Sequence, residues 1–234
     1  MQIEVLADPD AVARRAAALI AEEARTAVAE RRRFVMAVSG GRTPWIMLRM
    51  LAGQEHVPWS DIHVFQVDER IAPQGDADRN LTHLRASLLE RAPLPPAQVY
   101  PMPVEDIDLS TAAKRYATKL REIAGSPPRL DLVHLGLGPD GHTASLVPGD
   151  AVLGITDMTV ALTGEYQGRR RMTLTYPALN DARHILWVVT GSDKARILPR
   201  LQASDHGIPA GRVRQNNALV LADLAAAKSP RRGA

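Results

Sequence analysis

The sequence predicts an α/β protein: a doubly wound, mostly parallel sheet with helices on both faces and a small antiparallel excursion at about residues 150–175. Three observations predict it. Apolar runs of strand length recur, stretches of helical spacing separate them, and each run ends in polar or glycine-rich residues. Helical spacing first appears over residues 9–31. The run 34–38 then reads as a strand ending in Ser39-Gly40-Gly41, and helical spacing resumes over 44–52. A second strand over 62–67 ends in Asp68-Glu69-Arg70 and is followed by a helix over 79–91. The Pro-rich segment 93–103 is a stiff connection leading to a helix over 109–124. A third strand, 130–137, ends in Gly138-Pro139-Asp140-Gly141-His142. Over 150–175, alternation at Val160, Leu162, Met172 and Leu174, with Gly164 and Gly168 between, predicts the antiparallel excursion at the sheet edge. A fourth strand over 185–189 ends in Thr190-Gly191, before a helix over 193–203. In open parallel sheets ligands bind beyond the carboxyl ends of the strands, so four polar strand ends nominate one composite site.

Composition bounds the function. The 234 residues, 45% hydrophobic, suffice for one α/β domain over 1–224, leaving 225–234 as a frayed tail. Cysteine is absent, which removes disulfides, thiolate metal sites and a cysteine nucleophile. The N-terminal segment lacks an uninterrupted apolar stretch, and no 18 apolar residues run together, so a cytoplasmic protein with no membrane partner is expected. The net charge of +3 resides in the tail, in Lys228, Arg231 and Arg232, over a charge-balanced body. With aromatic residues at 4%, this distribution speaks against a nucleic-acid partner. The internal clusters Arg31–Arg33 and 169–171 read as solvated strand entrances, with Arg171 the exception that could serve a site.

Four segments could carry chemistry. Ser39-Gly40-Gly41-Arg42-Thr43-Pro44 joins a strand to a helix, with Thr43 suited to cap and Pro44 to the first helical position. Such a loop either cradles a phosphate on its backbone N–H groups or is a plain capped turn. Gly136, Gly138 and Gly141 match a dinucleotide-binding pattern, but Pro139 removes a loop N–H and Pro148 leaves little room for the helix that pattern requires. His142 follows Asp140 at a strand end; an imidazole, ordinarily titrating near 6.5, can accept a proton at neutral pH. The alternative is a loop-stabilising hydrogen bond. His63, His134 and His184 lie in or beside strands and read as structural. No paired histidines at ligand spacing occur, and Asp140 with His142 alone makes a poor site, so no metal is expected. Arg70 at one strand end could fork onto a phosphate or an oxyanion, or be half of a surface ion pair, and Lys194 could reach an anion from another loop.

Taken together, VSGGRTP at 38–44, VDERIAP with DRN at 67–80, LGLGPDGHTASLVP at 135–148 and TGSDKA at 190–195 resemble the 6-phosphogluconolactonase family, in the family's order and over most of residues 5–225. The DGHTASL segment is the specific one. The same superfamily holds glucosamine-6-phosphate deaminases, which typically carry Asp-Glu-Tyr where this chain has Asp68-Glu69-Arg70, and a glutamate where it has Val147. The resemblance implies hydrolysis of 6-phospho-D-glucono-1,5-lactone to 6-phospho-D-gluconate, in the oxidative pentose phosphate pathway. It implies a substrate phosphate on Gly40, Gly41, Arg42 and Thr43, supported by Lys194, and His142 as the base that activates water, oriented by Asp140. Arg70 and Arg171 would stabilise the anionic transition state or hold the phosphate. Asp68 and Asn80 would bind sugar hydroxyls or fix Arg70. A deaminase or a non-catalytic phosphosugar-binding module are the competing readings.

Overall fold

A computed structural model describes residues 1–228. The chain runs β1 (Gln2–Leu6), α1 (Pro9–Arg31), β2 (Phe34–Val38), α2 (Arg42–Ala52), β3 (Ile62–Gln66), β4 (Asp68–Arg70), α3 (Asn80–Leu84), β5 (Val99–Tyr100) and α4 (Leu109–Ala124). It continues through β6 (Leu132–Leu135), β7 (Val160–Leu162), β8 (Arg171–Leu174), α5 (Tyr176–Asn180), β9 (His184–Val189), α6 (Leu198–Gln202), β10 (Ala218–Asp223) and α7 (Leu224–Ala227). The seven-stranded sheet has the order β1-β10-β9-β6-β2-β3-β5, and every pair in it is parallel.

Side chains of a strand alternate between faces, and here both faces are covered. Phe34, Met36 and Val38 of β2 join α1 and α2 in one core, while Val35 and Ala37 join Tyr116 and Leu120 of α4 in the other. Residues apolar at every position, without polar alternation, are the sequence mark of a strand buried on both sides. The helix ends follow local chemistry. Asp8 caps α1 by accepting from the Ala11 N–H at 2.8 Å, and Asp108 caps α4 by accepting from Ser110 and Thr111 at 3.0 Å. Gly125, at φ 97°, ends α4.

Several expectations change. The antiparallel excursion expected at about 150–175 is present as β7 and β8, and it forms a separate sheet of order β4-β8-β7 that also takes in Asp68–Arg70. Val67 joins the two sheets: its N–H donates to Val38 O at 3.0 Å, and its carbonyl accepts from Leu174 N–H at 2.8 Å. The chain therefore leaves the main sheet immediately before Asp68. The helix expected over 79–91 is α3 continued by a π-helical turn, Arg85–Leu89. That expected over 193–203 is broken into a 3-10 turn, Ser192–Lys194, and α6. The edge strands β1 and β5 carry little signal in the sequence, and β10, the apolar run Ala218–Asp223 between β1 and β9, is a strand the sequence reading missed. Arg31 is not simply solvated: it pairs with buried Asp131 at 3.0 Å, and Asp131 also accepts from the Val35 N–H at 2.9 Å. Beyond residue 224, α7 packs Ala226 into the core, and 229–234 lie outside the described residues.

His134, in the middle of β6, is completely buried; its Nδ1 accepts from the Ser39 N–H at 3.2 Å, whereas its Nε2 has no partner among the described residues. Burial disfavours the imidazolium and pushes the group down to about 3. An unfolded chain takes up this proton near the ordinary imidazole value of 6.5, so the stability from neutral His134 is present above that pH and is lost as pH falls towards 3. The slope for one such group is at most about 1.4 kcal/mol per pH unit. His134→Gln should therefore flatten the decline of the urea midpoint between those limits; an unchanged decline would remove His134 as its source.

Candidate active site

β2 and β6 are neighbours whose following connections leave in opposite directions, one towards β3 and the other towards β9. Loops diverge at such a point and open a crevice at the carboxyl ends. The cleft there has a volume of about 510 Å³. Of the residues expected at the site, Gly40, Gly41, Arg42, Thr43, Asp68, Asn80, Arg70, His142, Arg171 and Lys194 all line it. Asp140 does not line it but bonds the ring of His142.

The glycine loop departs locally from expectation. α2 begins at Arg42 after Gly41, which adopts φ 132°, so Thr43 does not cap and Pro44 is the third helical residue. Thr43 Oγ1 instead lies 2.7 Å from Thr190 Oγ1 on the loop after β9. A hydroxyl pair thus bridges the two loops beside Lys194, and Thr190 is a cleft residue that the sequence reading missed. Lys194 Nζ donates to Asp193 at 2.7 Å. Gly40 is required by its neighbour, since a Cβ there would fall 2.1 Å from Asn80 Oδ1.

Asp68-Glu69-Arg70 is no surface ion pair. Asp68 and Glu69 are buried, and Glu69 organises the segment. Its Oε1 accepts from the N–H groups of Arg70 and Asn80, each at 2.8 Å. Its Oε2 accepts from Leu81 N–H at 2.8 Å and Gln66 Nε2 at 2.9 Å, and faces buried Arg79 Nε at 3.3 Å. One carboxylate thereby satisfies the opening turn of α3 and sets the backbone of Arg70. The Arg70 guanidinium donates to Asn80 Oδ1 and Asp78 O, both at 2.8 Å. Asp68 accepts from the Ser145 hydroxyl at 2.6 Å and from the Asn80 amide at 3.4 Å.

Opposite lies the Asp140–His142 pair. Asp140 Oδ1 accepts from His142 Nδ1 at 2.6 Å and from the His142 backbone N–H at 3.1 Å. A proton on Nδ1 leaves Nε2 with its lone pair, and Nε2 makes no hydrogen bond with the described residues. Burial alone would raise the Asp140 carboxyl. The hydrogen bonds from His142, its charge, and a bond from Tyr166 outweigh that and hold the group below its ordinary value. Gly138 belongs to this pair and not to a dinucleotide fingerprint: a Cβ there would lie 2.1 Å from His142 Nδ1 and 2.7 Å from Asp140 Oδ1. Gly138→Ala should displace the imidazole and lower kcat by about 10²-fold with the melting temperature nearly kept. A kcat within threefold of the parent would show that the pair does not need this space.

Tyr166 is the second residue that sequence reasoning missed. It comes from the turn between β7 and β8, and its hydroxyl donates to Asp140 Oδ2 at 3.0 Å. The Arg171 guanidinium lies 5.0 Å from the centre of its ring. Arg171 is buried, and its Nε has no partner among the described residues. Burial lowers its pKa from the ordinary value, with the nearby Asp68 carboxylate opposing. Among the described residues no group of three or more His, Cys, Asp or Glu could hold a metal ion, and no helix is long and apolar enough to cross a membrane.

Known proteins give this arrangement its context. Residues 7–221 match the model of the family described as glucosamine-6-phosphate isomerases/6-phosphogluconolactonase. The chain is 37% identical to the 6-phosphogluconolactonase of Mycobacterium tuberculosis, over 97% of this chain and 98% of that one. It is 34% identical to the 6-phosphogluconolactonase of a Nostoc species, over 96% of each. The crystal structure of 6-phosphogluconolactonase from Thermotoga maritima superposes with a TM-score of 0.84 at 28% identity, covering 95% of this chain and 98% of that one. A monomeric glucosamine-6-phosphate deaminase shares the fold, with a TM-score of 0.83 at 18% identity, covering 97% and 99%. Sequence and architecture agree: the chain belongs to the glucosamine-6-phosphate isomerase/6-phosphogluconolactonase family.

Proposed function

We propose that this chain hydrolyses 6-phospho-D-glucono-1,5-lactone to 6-phospho-D-gluconate. One observation carries the reading: the Asp140–His142 pair opens onto a cleft that also holds Arg42, Arg70, Arg171 and Lys194, a base facing cations suited to an anionic substrate. Relatives that share 34–37% of its residues bear the name 6-phosphogluconolactonase. His142 Nε2 takes a proton from water as the water oxygen bonds to C1, and the carbonyl oxygen gains the negative charge. Collapse restores the carbonyl and breaks the bond from C1 to the ring oxygen, which receives the proton from the imidazolium. Arg171, stacked on the tyrosine that also bonds Asp140, is the cation for the oxyanion. The 6-phosphate rests at the other end, on the N–H groups of the glycine loop with Arg42, Thr43 and Lys194. Arg70, braced by Asn80 against Gly40, closes the wall between them. These groups suffice without a metal or organic cofactor, and the absence of cysteine fits a cytoplasmic setting.

Fold does not separate a lactonase from a deaminase; residues do. Val147 is apolar and buried at the position where deaminases place a carboxylate, and it cannot supply that extra acid for ring opening and proton shuttling on an amino sugar. Freshly generated lactone should disappear faster than its spontaneous rate, and glucosamine 6-phosphate should release no ammonia. Failure to accelerate lactone loss overturns the proposal. Saturable phosphosugar binding without turnover would assign a sensing role instead.

A further inference from the structure

The hydroxyl of Tyr166 is unaccounted for by the hydrolytic scheme, yet it completes a chain of contacts behind the base. Asp140 Oδ1 is occupied by His142, and Oδ2 accepts from Tyr166 at 3.0 Å. With a donor on each oxygen, the carboxylate cannot rotate about its last bond without losing one of them. The Tyr166 ring also meets the imidazole edge to face, with centroids 5.4 Å apart and an interplanar angle of 64°.

Tyr166 is itself held. Residues 166–169 form a two-residue hairpin turn in which Tyr166 N–H donates to Arg169 O at 3.0 Å and Arg169 N–H returns to Tyr166 O at 3.3 Å. Gln167 and Gly168 both take positive φ, 53° and 74°, the geometry that suits the twist of flanking strands. Arg169 anchors the turn to the loop after β4 through Asp76 and Asp78, each at 3.2 Å. A phenol on so constrained a turn has a defined aim.

We propose that Tyr166 is a positioning residue for the acid–base pair, its hydroxyl locking the Asp140 carboxylate so that His142 keeps Nδ1–H inward and Nε2 towards the water to be activated. The proposal rests on the hydrolytic reading of the cleft and deepens it. Tyr166 touches neither water nor substrate in this scheme; it acts through Asp140. The ring stays beside Arg171 when only the hydroxyl is removed, so Tyr166→Phe isolates the hydrogen bond.

The test is a double-mutant cycle in the full chain with lactone as substrate, joined to a measurement that needs no substrate. Tyr166→Phe should lower kcat by about tenfold with KM changed less than twofold. In an Asp140→Ala background the same change should cost much less, because only the longer contact of the hydroxyl with His142 Nδ1, 3.5 Å, remains. Without substrate, the proton resonance of His142 Nδ1–H should be sharp in the parent and broadened or lost in Tyr166→Phe. An unchanged kcat, an equal loss in both backgrounds, or an unaltered resonance would each overturn the assignment. If the parent does not accelerate lactone loss yet the resonance responds, the hydrolytic reading fails while the positioning contact stands.

Discussion

His142→Ala is expected to fold normally and to lose most of the acceleration of lactone hydrolysis, a fall in kcat of about 10²–10⁴-fold. The imidazole is a partly exposed side chain at the cleft wall, with 22% of its surface accessible, so its removal opens no core cavity. KM should move little, since Arg42, Arg70, Arg171 and Lys194 remain to hold the anion. The residual rate should still exceed the spontaneous one, because prebuilt cationic stabilisation outlasts loss of the base. Steady-state kinetics with a thermal melt as folding control decides the matter. A loss below tenfold in a folded variant would mean that another group activates the water.

Glu69→Gln should have the largest effect on stability, about 3–5 kcal/mol in urea unfolding. Arg79 is 2% exposed and Glu69 is fully buried, so neutralising the carboxylate leaves a guanidinium in the interior with only Glu105 and the Ala72 carbonyl. The new amide would also point donors at N–H groups that need an acceptor. Adding Arg79→Met should recover part of the loss by removing the under-compensated charge, but not all, because the amide keeps a single acceptor oxygen and leaves either the Leu81 N–H or those of Arg70 and Asn80 unsatisfied. Since the same carboxylate sets the backbone of Arg70, kcat/KM should fall as well. A cost under 1 kcal/mol would show that the network is dispensable.

Much of the fold was legible because buried parallel strands leave a local mark. Phe34–Val38 is apolar at every position, and α1 and α4 carry their spacing and their capping aspartates within themselves. β1 and β10 were harder: Gln2–Leu6 alternates polar and apolar at the sheet's edge, and becomes a strand only through its register with Ala218–Asp223. The separate sheet was half legible. Alternation near Val160 and Met172 marked β7 and β8, but nothing around Asp68 announces that it pairs with Thr173, 105 positions along the chain.

At the site, the sequence by itself determined the chemistry on offer: the glycine loop, Asp140 with His142, and the arginines and lysine at strand ends. Each of these is a local pattern, fixed by residue type and by position after an apolar run. Only the tertiary structure decided which residues support them. Tyr166 carries no local signal, and Glu69, Arg79 and Thr190, though they fall in the motifs, show no role there, because their value lies in partners brought close by folding: Glu69 against Arg79, Thr190 against Thr43, Tyr166 against Asp140. A hydrogen bond acts over about 3 Å in space and is indifferent to sequence distance, so spacing along the chain could put Asp140 beside His142 but not bring Tyr166 to them.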